Sequence, residues 1–240
     1  MIIQINNAKI QNPWININWA NTIADCDKSI ISPTYCNKHG IDISNLPEPY
    51  TGDVDSNVYC LNLNPGIGKC DSCFRNDSEL LRLTQETLQH QINHHMWICD
   101  DIKCKLGGLH DGCVWWRNRT KTLQASIGNK RLDIFVLEFF PYHTKSAFNF
   151  PALPSDEYRN SLLERAMSDG KYIVIMRGKK RWFDIKADGI GGRLKNYKRK
   201  IEMNNPRNVS FSQLKKSKNW NDLKTELQNN KILKYRIINP

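Results

Sequence analysis

Three short apolar runs divide the chain, at 58–63, 132–138 and 171–176, and each ends in turn-forming residues. Runs of this length, rich in β-branched, aromatic and aliphatic residues, predict strands buried on both faces. A more polar stretch at 197–203, closed by Asn204-Asn205-Pro206, predicts a fourth strand. Helical spacing fills the gaps between them. Leu81, Thr84, Leu88 and Ile92 recur along a helix expected from Asp77 or Ser78 to about 95. A second helix is expected over 115–127. A third follows Pro154-Ser155, with Tyr158, Leu162, Leu163 and Ala166 inward and Gly170 as its stop. A short element is expected around Trp182, and a last helix over 219–228 carries Trp220, Leu223 and Leu227. Residues 96–114 read as loop, 46–53 as an extended lead-in, and the Asn-rich 1–45 as an irregular N-terminal extension. Strands alternating with helices predict an α/β fold: a three-layer α/β/α sandwich around a central, mainly parallel four-stranded sheet. All 240 residues are expected to form one domain, with the core over 46–230.

Composition adds little to this until charge is considered. Hydrophobic content of 40% and charged content of 25% are those of an ordinary soluble protein. No apolar run has transmembrane length, and residues 1–7 lack the basic leader and apolar core of a secretory signal. A cytoplasmic location without membrane association is therefore expected, with the eight cysteines as thiols or metal ligands rather than disulfides. The net charge of +11 is unevenly placed: residues 171–240 hold 19 Lys/Arg against 5 Asp/Glu. Such segregation predicts a basic face for a polyanion, the other reading being a solvated surface without a partner.

Three strand ends carry unusual residues: Asn64-Pro65-Gly66, then Glu138 with Pro141-Tyr142-His143, then 205–210 (Asn-Pro-Arg-Asn-Val-Ser). In a parallel sheet all three would meet at the carboxyl edge, where ligands bind. Here the sequence resembles the uracil-DNA glycosylase superfamily, especially its single-strand-selective and mismatch-specific branches. Their first motif is Gly-x-Asn-Pro-Gly; residues 62–66 match it, with Asn62 in place of the first Gly. Their last motif, His-Pro-Ser or Asn-Pro-Ser, is similar to the stretch from Asn205, with Arg207 where the pattern has Ser. The middle motif has an Asn at a strand end, where this chain has Glu138. The resemblance spans 46–230.

It implies a monomeric, monofunctional DNA glycosylase that flips a base, hydrolyses its glycosidic bond and needs no cofactor for catalysis. Asn64 would position the water and Asn205 would help stabilise the departing base. Val209 or Phe211, in a loop with Ser210, would be the wedge, and Phe74 or Phe139 the stacking platform. Tyr142 and His143 could contact base or phosphate. Arg177, Lys179, Lys180, Arg181, Arg207 and Lys215 would hold phosphates. An ionised Glu138 only accepts hydrogen bonds, so it would favour an exocyclic amine over uracil O4. The expected target is then a modified cytosine, as in defence against phage. The alternative for Glu138 is a structural ion pair with Arg177 or Lys145. The competing functions are a non-catalytic nucleic-acid-binding protein, a uracil-DNA glycosylase of base-excision repair, and an enzyme acting on a small anionic metabolite. A zinc deaminase lacks support because no His-x-Glu precedes Cys70.

Cys70, Cys73, Cys99 and Cys104, with His110 and Cys113 nearby, could hold a structural zinc or an iron–sulfur cluster, the other reading being free thiols. His90 and His94 fit a solvated helix face, and Asp53 and Glu48 turn or capping roles.

Overall fold

The computed structural model describes residues 2–5, 8–128 and 132–228. From the N-terminus the chain forms a hairpin of β1 (Ile2–Ile5) and β2 (Ala8–Gln11), helix α1 (Pro33–His39), and strands β3 (Ile41–Asp42), β4 (Tyr50–Thr51) and β5 (Val58–Leu61). Helices α2 (Ser78–Leu88), α3 (Met96–Cys99) and α4 (Asp111–Ser126) lead to β6 (Phe135–Leu137) and β7 (His143–Thr144). Then come α5 (Asp156–Ser168), β8 (Tyr172–Ile175), α6 (Lys179–Phe183), α7 (Ile190–Asn196), β9 (Lys200–Glu202) and α8 (Trp220–Gln228).

Five strands form one mostly parallel sheet in the order β4-β6-β5-β8-β9. The four expected strands are its parallel members, and β4 pairs antiparallel on the β6 edge. This fifth strand is a correction to the four-stranded expectation. At two residues it is too short to leave a period, and its docking depends on Gly52. At φ 103°, a Cβ on Gly52 would lie 2.1 Å from the Ile134 carbonyl oxygen.

Alternation along the strands feeds two apolar clusters. Tyr59, Leu61, Phe135, Leu137, Ile173 and Ile175 join Leu162 and Leu163 of α5 and Trp182 of α6. Val58, Cys60, Val136, Tyr172 and Val174 join Trp116 and Leu123 of α4 and Leu223 of α8. Both sheet faces are thus buried, which is why the strands read as continuous apolar runs. Each fully buried aliphatic side chain contributes roughly 1.5–3 kcal/mol.

Three element expectations are corrected. The helix expected to reach 95 stops at Leu88, because His90 adopts φ 55° and turns inward onto Tyr50 and the Tyr158 hydroxyl at 2.8 Å. Helix α4 starts four residues early, with His110 as its side-chain cap. Residues 1–45 are not simply irregular: Ser32 caps α1, and buried Asp27 accepts from the Ser155 backbone N–H at 2.9 Å and from its hydroxyl at 2.7 Å. The N-terminal segment is therefore tied to the residue that precedes α5. Among the described residues no helix is long and apolar enough to cross a membrane.

Candidate functional site

The register sets the strand ends level. Leu61 pairs with Leu137 on one side and Ile175 on the other, and Ile175 pairs with Glu202. Asn62, Glu138, Met176 and Met203 therefore leave the sheet side by side at its carboxyl edge. The connection that leaves β5 runs towards β6 on one side and the one that leaves its neighbour β8 runs towards β9 on the other, which makes this the place where open α/β sheets bind ligands.

Asn64 is buried in the loop that follows β5. Its Nδ2 donates to the Pro65 carbonyl at 2.9 Å and to Thr144 Oγ1 at 2.8 Å. A backbone carbonyl only accepts, so the amide nitrogen must face it, and Oδ1 is left as the acceptor for a water. Gly66 is exposed with open space where a Cβ would stand. His143 holds the loop from below. Its Nδ1 lies 2.6 Å from the Gly66 carbonyl and its Nε2 3.0 Å from the Leu46 carbonyl. Two acceptors require two N–H groups, which is the imidazolium. Burial alone would lower the His143 pKa, but the hydrogen bond and charge of Glu48 and the charge of Asp71 outweigh it and raise it to about 9. Glu48 Oε2 in turn accepts from Trp97 Nε1 at 2.9 Å. Burial opposes the ionisation of Asp71, yet bonds from His110 and the Gly68 N–H and the charge of His143 hold its pKa below the usual value. Glu48 is therefore a charge partner of His143, which corrects its expected turn role.

Glu138 is buried, and its Oε1 accepts from Asn62 Nδ2 at 2.8 Å. Glu138 Oε2 and Asn62 Oδ1 are buried without a partner. Burial, assisted by repulsion from Glu48, raises the Glu138 pKa to about 8 against the opposing Asn62 bond and the charges of Arg177 and His143. At neutral pH the group is mainly a carboxylic acid that can donate as well as accept. The expectation built on an ionised, accept-only Glu138 is corrected accordingly. Among the described residues it has no ion pair with Arg177 or Lys145.

Beside these strand ends runs a groove of about 1500 Å³, lined by Phe139, Arg159, Met176, Gly178 and Pro206, among others. Arg177, Lys179, Lys180 and Arg181 line it too. Lys179 pairs with Glu202 at 2.6 Å, and the Arg181 guanidinium stacks over Phe150 at 4.7 Å. Phe139 forms part of the wall, with the Arg159 guanidinium 4.4 Å over its ring. Asn64 and Glu138 are not among the lining residues.

Several expected site residues lie elsewhere. Phe74 is buried in the cluster of α4 and α8, edge-on to His110, and cannot be the platform. Tyr142 donates to Asp27 at 2.8 Å, away from any base pocket. Val209 and Phe211 are 2% and 0% exposed, packed as core, so neither is a wedge. Ser210 caps the turn that follows, accepting from the Ser212 N–H at 3.3 Å. Asn205 is exposed, and its Oδ1 accepts from the backbone N–H groups of Arg207 and Asn208 in a local turn. Arg207 and Lys215 are exposed on the same loop. The basic final third does not form one face. Lys198 and Arg199 precede β9 at the amino edge, opposite the groove, and Lys231, Lys234 and Arg236 lie outside the described residues.

Cys70 and Cys104 form a disulfide with their Cα atoms 5.8 Å apart, within the range such bonds require, while Cys73 and Cys99 are not disulfide-bonded. This corrects the expectation of thiols or metal ligands for that pair. Among the described residues no group of three or more His, Cys, Asp or Glu is placed to hold a metal. Sequence reasoning missed Thr144 and Arg159. Thr144 left no signal, but Arg159 falls on the inward face of α5 beside Tyr158 and Leu162, an unusual place for a charge.

No family model matches the chain, and no curated protein or solved structure matches it.

Proposed function

We propose that the chain is a monofunctional DNA glycosylase, built as a three-layer α/β/α sandwich and acting as a monomer. It flips a base and hydrolyses its glycosidic bond, leaving an abasic site. The observation that carries this reading is the convergence of the 62–66 loop, Glu138 and Arg177 on adjacent parallel strand ends beside the basic-lined groove. Asn64 Oδ1 would orient the attacking water, and Phe139 would support the base. A neutral amide is a weak base, so stabilisation of the departing base must supply much of the rate. Glu138 suits that task, because a buried carboxylic acid kept neutral can donate from Oε2 as charge develops on the base. Such an acid complements the edge of cytosine as well as that of uracil. Modified cytosine, as in defence against phage, and uracil are the two candidate targets.

One observation favours a second reading. Asn64 and Glu138 are not among the residues that line the groove, as in a nucleic-acid-binding protein that keeps the sheet without the chemistry. The test is to incubate wild type and Asn64→Ala with DNAs carrying uracil, hypoxanthine, cytosine and modified cytosines, scoring abasic sites. Product from wild type that Asn64→Ala loses supports the glycosylase. DNA binding by both proteins with no product on any substrate overturns it in favour of the second reading.

A further inference from the structure

Cys70 and Cys73 flank Asp71 and Ser72 in a Cys-x-x-Cys pattern, yet the disulfide joins Cys70 to Cys104, 34 positions away. Cys73 keeps its thiol and is partly exposed. The turn Asp71–Phe74 is 3-10 helical, Cys70 enters it in the right-handed helical region, and the Cys73 N–H donates to the Cys70 carbonyl at 2.9 Å. Three residues of such a helix advance the chain by about 6 Å and bring side chains i and i+3 onto one side. The Cα atoms of Cys70 and Cys73 are therefore spaced as a disulfide requires, much as those of Cys70 and Cys104 are at 5.8 Å. One sulfur thus has two thiol partners within bridging distance, and it can bond only one at a time.

The two pairings hold different parts of the molecule. The bridge to Cys104 ties the loop that leaves Asn64-Pro65-Gly66 to the 103–109 turn, which the Lys103–Leu109 pairing closes. A bridge to Cys73 lies wholly within that loop and releases the turn. Asp71 sits between the alternatives. Its carboxylate accepts from the Gly68 N–H at 2.8 Å and lies 3.3 Å from His110 Nε2. It also lies 3.9 Å from Nδ1 of His143, the ring that holds the Gly66 carbonyl. The His110 N–H donates to the Ile102 carbonyl at 2.8 Å, so the Cys104 side of the cross-link also reaches Asp71. Which thiol holds Cys70 therefore decides how firmly the support beneath Asn64 is closed.

We propose that Cys70, Cys73 and Cys104 form a thiol–disulfide exchange site that controls the loop after Asn64. The Cys73 thiolate attacks Sγ of Cys70. A Cys70–Cys73 bond forms as the Cys70–Cys104 bond breaks, and the electron pair leaves on Sγ of Cys104. Cys73 gives up its proton before the attack and Cys104 takes one up after it, so no oxidant or reductant is consumed. The exchange stands apart from the glycosylase reading.

The test uses the full chain purified without reductant, incubated at mildly alkaline pH and quenched in acid. The remaining thiols are then capped with N-ethylmaleimide and mapped by mass spectrometry. Among these three cysteines wild type should carry a single cap, on Cys73 in some molecules and on Cys104 in others. Cys73→Ser should lose the cap on Cys104, and Cys104→Ser should close Cys70 onto Cys73. Hydrogen–deuterium exchange over residues 64–74 should be several-fold faster in Cys104→Ser than in Cys73→Ser, with circular dichroism confirming that both fold. Wild type capped at all three cysteines, or never at Cys104 alone, overturns the inference without recourse to a variant. A cap on Cys104 that persists in Cys73→Ser overturns it too, as do equal exchange rates in the two variants. Abasic sites are scored on the same samples. Single caps on both thiols with no abasic product support the exchange site and overturn the glycosylase reading; product with no cap on Cys104 does the reverse.

Discussion

Asn62 donates to Glu138 across the ends of β5 and β6, Nδ2 to Oε1 at 2.8 Å. These are two of the three positions at which the chain departs from the glycosylase pattern it resembles, Asn62 standing for a Gly and Glu138 for an Asn; the third is Arg207. The first two departures are bonded to each other. An amide absent from one strand end is supplied by its neighbour, and the pair as a whole still offers one amide and one carboxyl at the carboxyl edge. Each retains a buried oxygen without a partner, a feature that is uncommon in native proteins.

Titration of this pair links it to stability. The folded Glu138 has its pKa raised from 4.5 to about 8. The folded state therefore binds more protons than the unfolded state between those values, and stability falls as pH rises through that window. His143, raised from 6.5 to about 9, adds a loss of the same sign at higher pH. His90 and His95, lowered by burial from 6.5 to about 4 and about 3, act in the opposite sense, so melting temperature should rise towards about pH 6.5 and decline from there to about pH 9. In Glu138→Gln, whose amide oxygen can still accept from Asn62, the rise below about pH 6.5 should steepen and the decline above it should shrink to the part that His143 contributes. An unchanged profile in that variant would show that Glu138 ionises normally.

The Cys70–Cys104 cross-link closes a sequence separation of 34 residues. Chain-entropy reasoning puts its contribution at about 3–4 kcal/mol, or roughly 10 °C in melting temperature for a protein of this size. Thermal melts with and without dithiothreitol should differ by that amount for wild type, and a Cys70→Ser/Cys104→Ser variant should melt at the reduced value in both. Equal melts for wild type would show the pair to be unlinked thiols.

Phosphate contacts at the groove should be visible as salt dependence. Lys180 lines the groove and has no ion pair among the described residues. Lys180→Ala should lower the slope of log K against log salt for duplex DNA by about 1. Lys198→Ala, at the amino edge, should leave the slope unchanged. Fluorescence anisotropy titrations at several salt concentrations separate the two, and equal effects would move the DNA away from the groove.

The parallel strands were legible because burial on both faces writes itself as unbroken apolar runs such as Phe135-Val136-Leu137. The loop at Asn64 was legible for a related reason, since Pro and Gly mark the place where a strand must turn. Tertiary pairings were not legible. Nothing local to Asp27 announces that it bonds Ser155 across 128 positions, and Thr144 carries no mark of its bond to Asn64. Val209 and Phe211 misled because an apolar residue after a strand reads alike whether it is a wedge or core. Burial decides that.

Thr144 provides the most specific test of how Asn64 is held. Its Oγ1 accepts from Asn64 Nδ2 at 2.8 Å and donates to the Ser146 carbonyl at 3.1 Å, so the hydroxyl fixes which way the amide faces. Thr144→Val keeps the side-chain shape, and the backbone bond from the Thr144 N–H to Pro65 is untouched. It leaves one Asn64 amide hydrogen unpaired, costing about 1–3 kcal/mol of stability. If Asn64 orients the water, a looser amide should lower kcat for base excision by roughly 10–100-fold with KM for DNA unchanged. Thr144→Ser restores the hydroxyl and should recover most of the rate. A kcat unaffected by Thr144→Val but lost in Asn64→Ala would mean that Asn64 acts without this support. Loss of KM instead of kcat would place Asn64 in DNA binding rather than in catalysis.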